Sequence, residues 1–220
     1  MISIIIPTKN EEETVGLVIT EINKVMREEY EILVVDSSTD KTAEIARKMG
    51  ARIIFERRKG YGRAYKTGLS EAKGEIIVTL DGDNTYPAKD IPALVAQLRS
   101  LNVDFISCDR ITKLNDTGQM NKTHRFGNSI LNIAFLTLYL HKIKDSQSGM
   151  WVFRPSLLKK MHLKYDGMAF SEEIKIEALK NGKFEETPIQ YGIRKGEKKL
   201  STFRDGVLNL LFLIKKRFIE

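Results

Sequence analysis

The chain is 220 residues long, 42% hydrophobic and 30% charged, so it can bury a core and stay in solution, which excludes a disordered or fibrous protein. One cysteine, Cys108, and three scattered histidines, His124, His141 and His162, exclude a disulfide framework and a cysteine- or histidine-rich metal site. A net charge of +7 favours acidic partners: nucleic acid, anionic lipid or phosphorylated small molecules. In chain order, residues 2–6 and 31–35 read as buried strands, and 52–55 and 76–80 as a third and fourth. Between the first two, Val15, Val18, Ile19, Ile22, Val25 and Met26 recur at helical spacing. Residues 42–49 and 63–72 supply further helices, with Gly50 and Gly74 as stops. This alternation predicts an α/β fold: a mostly parallel central sheet with right-handed crossovers, flanked by helices.

The second half continues with a helix over 91–101 and a strand over 105–108. After a polar loop, a largely apolar helix runs to Leu140 and carries Arg125, Ser129 and Asn132 at four- and three-residue spacing. Trp151 lies on a strand over 149–153, an amphipathic helix spans 171–181, and a strand resumes over 185–191. Five basic residues stand against Glu197 between Arg194 and Arg204, and an apolar helical run over 207–214 precedes Lys215-Lys216-Arg217. The first seven residues are too short for a secretory signal. The longest apolar stretch, 130–140, is interrupted by Asn132 and Thr137 and is about half the length a spanning helix needs. The expectation is a cytoplasmic protein peripherally associated with the cytoplasmic membrane face.

In doubly wound sheets ligands bind at the carboxyl ends of the strands. Here polar, acidic loops follow three of them: Pro7-Thr8-Lys9-Asn10-Glu11, Asp36-Ser37-Ser38-Thr39-Asp40 and Asp81-Gly82-Asp83-Asn84-Thr85. Thr8 or Asn10, and Thr39 or Asp40, also suit the caps of the helices that follow. Capping accounts poorly for Asp81 and Asp83, because the next helix begins only near Lys89. Two carboxylates one residue apart at the end of a buried strand are costly unless a cation sits between them. Oxygen ligands suit Mg²⁺ or Mn²⁺ bound partly through substrate phosphates, and Gly82 lets the backbone turn both side chains toward one ion.

Other chemistries fit less well. Asp81-x-Asp83-x-Thr85 also resembles the first motif of haloacid-dehalogenase-type phosphatases, with Asp81 as nucleophile and Asp83 as acid/base. That motif ends the first strand of its fold rather than the fourth, and no later acidic pair completes it. Gly60-Tyr61-Gly62 lacks the third glycine of a dinucleotide fingerprint, and no Gly-Lys-Ser/Thr phosphate loop occurs. Nucleic-acid binding would explain the charge, but not three acidic loops on one edge.

Taken in order, the motifs resemble the inverting family-two glycosyltransferases. The opening Ser3-Ile4-Ile5-Ile6-Pro7-Thr8-Lys9-Asn10-Glu11 is similar to theirs, as is Val34-Val35-Asp36-Ser37-Ser38-Thr39-Asp40-Lys41-Thr42, one residue short of the commonest form. Residues 60–68 resemble the stretch before their metal motif, and Asp81-Gly82-Asp83 the motif itself. Arg110, Arg125-x-x-x-Ser129-x-x-Asn132, Asp145-Ser146-Gln147-Ser148-Gly149, Phe170-x-x-Glu173 and Tyr191-x-x-Arg194-x-Gly196-x-x-Lys199-Leu200-Ser201 resemble the polyprenyl-phosphate (dolichol-phosphate mannose/glucose synthase-like) branch.

The resemblance implies a GT-A type fold in one domain over 1–220: a nucleotide-binding half to about residue 108, an acceptor half over about 109–200 and an amphipathic helix over 201–220. It implies transfer of a sugar from a UDP- or GDP-sugar to a polyprenyl phosphate. Asp36, Pro7, Thr8, Glu11 and Gly60 would bind the nucleotide, and Asp81 and Asp83 would hold Mg²⁺ or Mn²⁺ against the diphosphate. Arg110, Arg125 and Ser129 would bind the acceptor phosphate, and Arg194 and Lys199 would close over the diphosphates. Glu173 would contact the sugar or orient a basic residue. A hydroxyl of a glycan or cell-wall acceptor is the alternative substrate. The 130–140 and 207–214 runs would meet the membrane surface, pack in the core or face a partner, and a separate membrane protein could recruit the domain.

Overall fold

The apolar runs form the middle of a seven-stranded sheet, ordered β3-β2-β1-β4-β6-β5-β7, in a computed structural model that describes residues 1–114, 120, 122–193 and 202–219. The strands are β1 (Ile2–Thr8), β2 (Tyr30–Asp36), β3 (Arg52–Phe55), β4 (Ile76–Thr79), β5 (Phe105–Asp109), β6 (Trp151–Phe153) and β7 (Phe184–Pro188). The helices are α1 (Val15–Val25), α2 (Thr42–Lys48), α3 (Tyr61–Glu71), α4 (Ile91–Ser100), α5 (Lys122–Tyr139), α6 (Phe170–Asn181) and α7 (Thr202–Phe218). The first four strands are mutually parallel, and β7 is parallel to β5. Only β6 among the described strands is reversed, pairing antiparallel with both β4 and β5.

Strands buried on both faces read as unbroken apolar runs because each face has its own helical cover. In β1, Ile4 and Ile6 join Val18, Ile19, Ile22, Leu94 and Leu98 under α1 and α4. Ile5 points the other way, with Leu33 and Val35 of β2, into a cluster with Tyr65, Trp151, Phe170 and Ile174 under α3 and α6. Period-two alternation thus feeds two cores from one strand. A third cluster, with Leu131, Phe135, Ile176, Phe212 and Leu213, joins α5, α6 and α7.

Several boundaries differ from those expected, and two of them bear on packing. β1 extends to Thr8, which pairs in register with Asp36 at the end of β2. At the other end of α3, Gly74 lies beyond the helix terminus at Glu71 and is pressed against the chain instead: a Cβ there would come within 2.5 Å of the Ser3 amide nitrogen.

Candidate active site

The three acidic loops meet at the carboxyl edge of the sheet, in a cleft of about 780 Å³. Pro7, Thr8, Glu11, Asp36, Gly60, Asp81, Asp83 and Arg110 line it. Asp36 is 2% exposed. Its Oδ1 accepts hydrogen bonds from Thr8 Oγ1 at 2.6 Å and Ser38 Oγ at 2.5 Å, which ties the ends of β1 and β2 together. Thr14 Oγ1 donates to the Gly82 carbonyl at 2.7 Å, fastening the start of α1 to the Asp81–Asp83 loop. Tyr65 donates its hydroxyl to Asp81 Oδ1 at 3.2 Å. Asp83 Oδ1 accepts from both the hydroxyl and the amide of Thr85, at 2.6 and 3.2 Å. These donors are hydroxyls and amides.

The turn between the two aspartates differs from expectation. Gly82 is not in a left-handed conformation; Asn84 is, with φ 61°. Gly82 is needed for space, since a Cβ there would stand 2.9 Å from Thr8 Cγ2. Gly60 does need its backbone freedom: it has φ 141°, and a Cβ would fall 2.3 Å from the Asp166 carbonyl oxygen.

Among the described residues no group of three or more His, Cys, Asp and Glu side chains can hold a metal ion. Asp81 and Asp83 offer two oxygen donors on the cleft wall, with no nitrogen or sulfur ligand, which suits a hard cation that takes its remaining ligands from phosphates and water.

On the opposite wall, charges meet charges. Arg110, just past β5, donates from Nε to Asp145 Oδ2 at 2.7 Å and from a terminal nitrogen to Oδ1 at 2.9 Å. Its guanidinium lies 5.2 Å from the centre of the Tyr191 ring. The fully buried Asp145 also accepts from the Arg110 amide, Asn128 Nδ2 and the Gln147 amide. Burial would raise the Asp145 pKa, but Arg110, with help from Lys175, holds the carboxyl well below the usual range. Asp145 likewise raises the Arg110 pKa against the effect of burial.

The glycosyl transferase family 2 signature matches residues 3–161. The chain belongs to glycosyl transferase family 2. A dolichyl-phosphate hexose transferase of Haloferax volcanii is 34% identical over 208 residues, covering 93% of this chain and 89% of that protein. The low-salt glycan biosynthesis hexosyltransferase Agl6 of the same organism is 33% identical over 218 residues, 97% of this chain, which spans only 53% of Agl6. In fold, the transferase is similar to glucosyl-3-phosphoglycerate synthase from Mycobacterium tuberculosis, solved with Mn²⁺, UDP and phosphoglyceric acid: TM-score 0.78, 21% identity, covering 99% of this chain and 78% of that one.

Three expected site residues of the transferase stand away from the cleft lining. Arg125 and Ser129 are on the exposed flank of α5, and the Ser129 hydroxyl donates to the Arg125 carbonyl of its own helix at 2.9 Å. The cleft side of α5 is His124, Gly127, Asn128 and Leu131. The helix is rotated because Asn128 binds Asp145 and because Leu131 and Phe135 pack with α7, leaving Phe126, Ile130 and Ile133 in solvent. Glu173 is fully buried, and its carboxylate accepts from the amides of Lys164 and Tyr165 and pairs with Lys216 of α7 at 3.4 Å. Its carboxylate is turned toward Lys216 of α7, and it is not among the residues that line the cleft. Arg194 and Lys199 lie outside the described residues.

Sequence reasoning also missed several cleft residues. Phe55, 62% exposed at the end of β3, lines the donor side beside Ser37 and Ser38; its place after a strand was the available signal. Gln147 and Asn209 line the far side and bond to each other at 2.7 Å. No local pattern reveals a pair 62 residues apart.

Proposed function

We propose that this transferase moves a sugar from a UDP- or GDP-sugar to the phosphate of a polyprenyl lipid such as dolichyl phosphate, inverting the anomeric carbon. The observation that carries the reading is a single cleft with three acidic loops on one side and Arg110 with the first turns of α5 and α7 on the other. The outer faces of those two helices carry exposed apolar residues, Phe126, Ile130 and Ile133 on α5 and Leu208, Leu211 and Phe218 on α7. The likeness to a dolichyl-phosphate hexose transferase along most of both chains supports the same acceptor class.

In this reading Asp36, Thr8, Pro7, Glu11 and Gly60 bind the nucleoside. A divalent cation, Mg²⁺ or Mn²⁺, held by Asp81 and Asp83 neutralises the departing diphosphate. Arg110 binds the acceptor phosphate through the guanidinium edge that Asp145 does not occupy, and the bidentate pairing fixes its direction. An acceptor phosphate is ionised near neutral pH, so it attacks without a strong general base. This agrees with Glu173 being committed to Lys216. Arg125 and Ser129, on the exposed flank of α5, meet the lipid phosphate at the mouth before Arg110 receives it. No described helix is long and apolar enough to cross a membrane. In this reading the exposed apolar residues of α5 and α7, with Lys215 and Arg217 beside them, rest on the cytoplasmic membrane surface.

The test is a transfer assay with Mg²⁺ or Mn²⁺, a panel of labelled UDP- and GDP-sugars, and dolichyl and undecaprenyl phosphates. Metal-dependent label entering the organic phase from one donor is the expected result. Label that stays in water with every lipid, but moves to a glycan hydroxyl, would replace the acceptor class.

A further inference from the structure

From Phe170 to Ala178 every residue of α6 is buried, including Ser171, Glu172, Glu173, Lys175 and Glu177. Glu173 and Glu177 are accounted for by Lys216. Glu172 and Lys175, one turn apart on another side of the helix, have a different target. A buried ammonium needs three acceptors. Lys175 Nζ finds them in the carbonyls of Asp145, Ser146 and Ser148, at 3.0, 2.8 and 2.8 Å. All three belong to the irregular segment 145–149 that leads into β6.

That segment supplies much of the cleft's far wall. Asp145 holds Arg110 from both ends of its carboxylate. Gln147 Nε2 donates to Glu172 Oε1 at 2.8 Å, which turns the amide so that its oxygen accepts from Asn209 of α7. The Gly149 amide donates to the Tyr86 hydroxyl, and its carbonyl accepts from Tyr65, which also binds Asp81. Neither Lys175 nor Glu172 lines the cleft.

We infer that Lys175 and Glu172 are positioning residues for the acceptor side of the cleft. The backbone of 145–149 is wrapped around the Lys175 ammonium so that Asp145 aims Arg110, and Glu172 sets which end of the Gln147 amide meets α7. The inference deepens the proposed transfer and rests on it for its kinetic readout. Burial draws Lys175 down to about 8 against the pull of Asp145, and burial pushes the Glu172 carboxyl well up. Both side chains are thus held where their ordinary ionisation is disfavoured. Groups of that kind persist where the surrounding structure fixes them.

The experiment compares the wild-type chain with K175M, Q147A, E172Q and E172A. It measures acceptor KM, donor KM and kcat with dolichyl phosphate, and the affinity for UDP and GDP with Mn²⁺ by calorimetry. It also follows amide hydrogen exchange across 145–149. K175M is expected to raise acceptor KM by about tenfold, the equivalent of one or two lost hydrogen bonds, with donor affinity within about twofold. Its 145–149 amides exchange faster while those of β1 and β2 do not. Q147A moves the same way by less, and E172Q loses less than E172A because its amide oxygen can still receive Gln147. Equal changes in donor and acceptor parameters, or unchanged exchange at 145–149, overturn the inference. If K175M fails to fold, Q147A and the Glu172 pair decide the matter. A wild-type chain that glycosylates no polyprenyl phosphate refutes the proposed function, and exchange in K175M still judges the positioning role.

Discussion

The aspartates of one wall of the cleft and the arginine of the other are held in different ways. On the donor wall, Asp36, Asp81 and Asp83 are held by hydroxyls and amides of Thr8, Ser38, Tyr65 and Thr85. On the other wall an ion answers an ion, Arg110 with Asp145, and behind that wall Lys216 pairs with Glu173 and Glu177. Hydroxyl and amide donors fix where each carboxylate points, and in the proposed transfer those carboxylates meet a cation and its phosphates. Ion pairs cancel charge and fix geometry at the cost of desolvation. The acceptor wall gains direction rather than net field, and it suits a ligand whose position matters more than its capture.

Breaking the donor wall has the largest expected effect. Asp83→Ala removes a proposed cation ligand, and kcat is expected to fall on the order of 10²–10³-fold. A chelator should give the wild type the same loss, and calorimetry should show weaker nucleotide binding in the variant. If Asp83→Ala turns over normally, the donor wall is misassigned.

Asp145→Ala breaks the other wall and leaves Arg110 buried without its partner. The expected cost is about 3–5 kcal/mol of stability, read from urea denaturation, a larger stability effect than Asp83→Ala should produce. Equal stability losses for the two variants would erase the contrast between the walls.

A milder test uses acid. Glu56, on the donor side of the cleft, is lowered from 4.5 to about 2, mainly by hydrogen bonds from Arg58 and Thr67. A depressed carboxyl pKa stabilises the folded state above the unfolded value, so this contribution is complete above pH 4.5 and fades as pH falls toward 2. Glu56→Gln should therefore be less stable than wild type at neutral pH, with the gap closing in acid. A constant gap would assign the effect to packing.

The smallest effect is expected at Arg125. On the exposed flank of α5, Arg125→Ala should raise acceptor KM only about two- to threefold and leave kcat unchanged, as for a surface charge. A loss matching that of Arg110→Ala would return Arg125 to the interior of the site.

What was legible in the sequence divides along the same line. β1, β2 and β4 are unbroken apolar runs covered on both faces, and the rule for ligands at strand ends then locates Thr8, Asp36, Asp81 and Asp83 together. The reversed strand β6 is only three residues long, and its direction is set by pairing with β4 and β5. The far wall was harder for a physical reason. In α6, Glu172, Glu173 and Lys175 look like solvated helix charges, yet their partners are 25, 43 and 27–30 residues away. In α5, apolar residues do not mark the buried face, because Phe126, Ile130 and Ile133 are exposed while Asn128 is buried. Hydrophobic periodicity orients a helix only when water is what lies opposite its core.

The final helix has three faces. Asp205, Gly206 and Asn209 line the cleft, Phe212, Leu213 and Lys216 are buried, and Leu208, Leu211 and Phe218 are exposed. Its hold on the rest of the fold runs through the buried face, where Phe212 and Leu213 pack and Lys216 pairs with Glu173 and Glu177. A single detachment of α7 would remove one wall of the cleft while the sheet stays intact. Heat should therefore switch off activity some degrees before it melts the fold, and the inactive protein should recover fully on cooling.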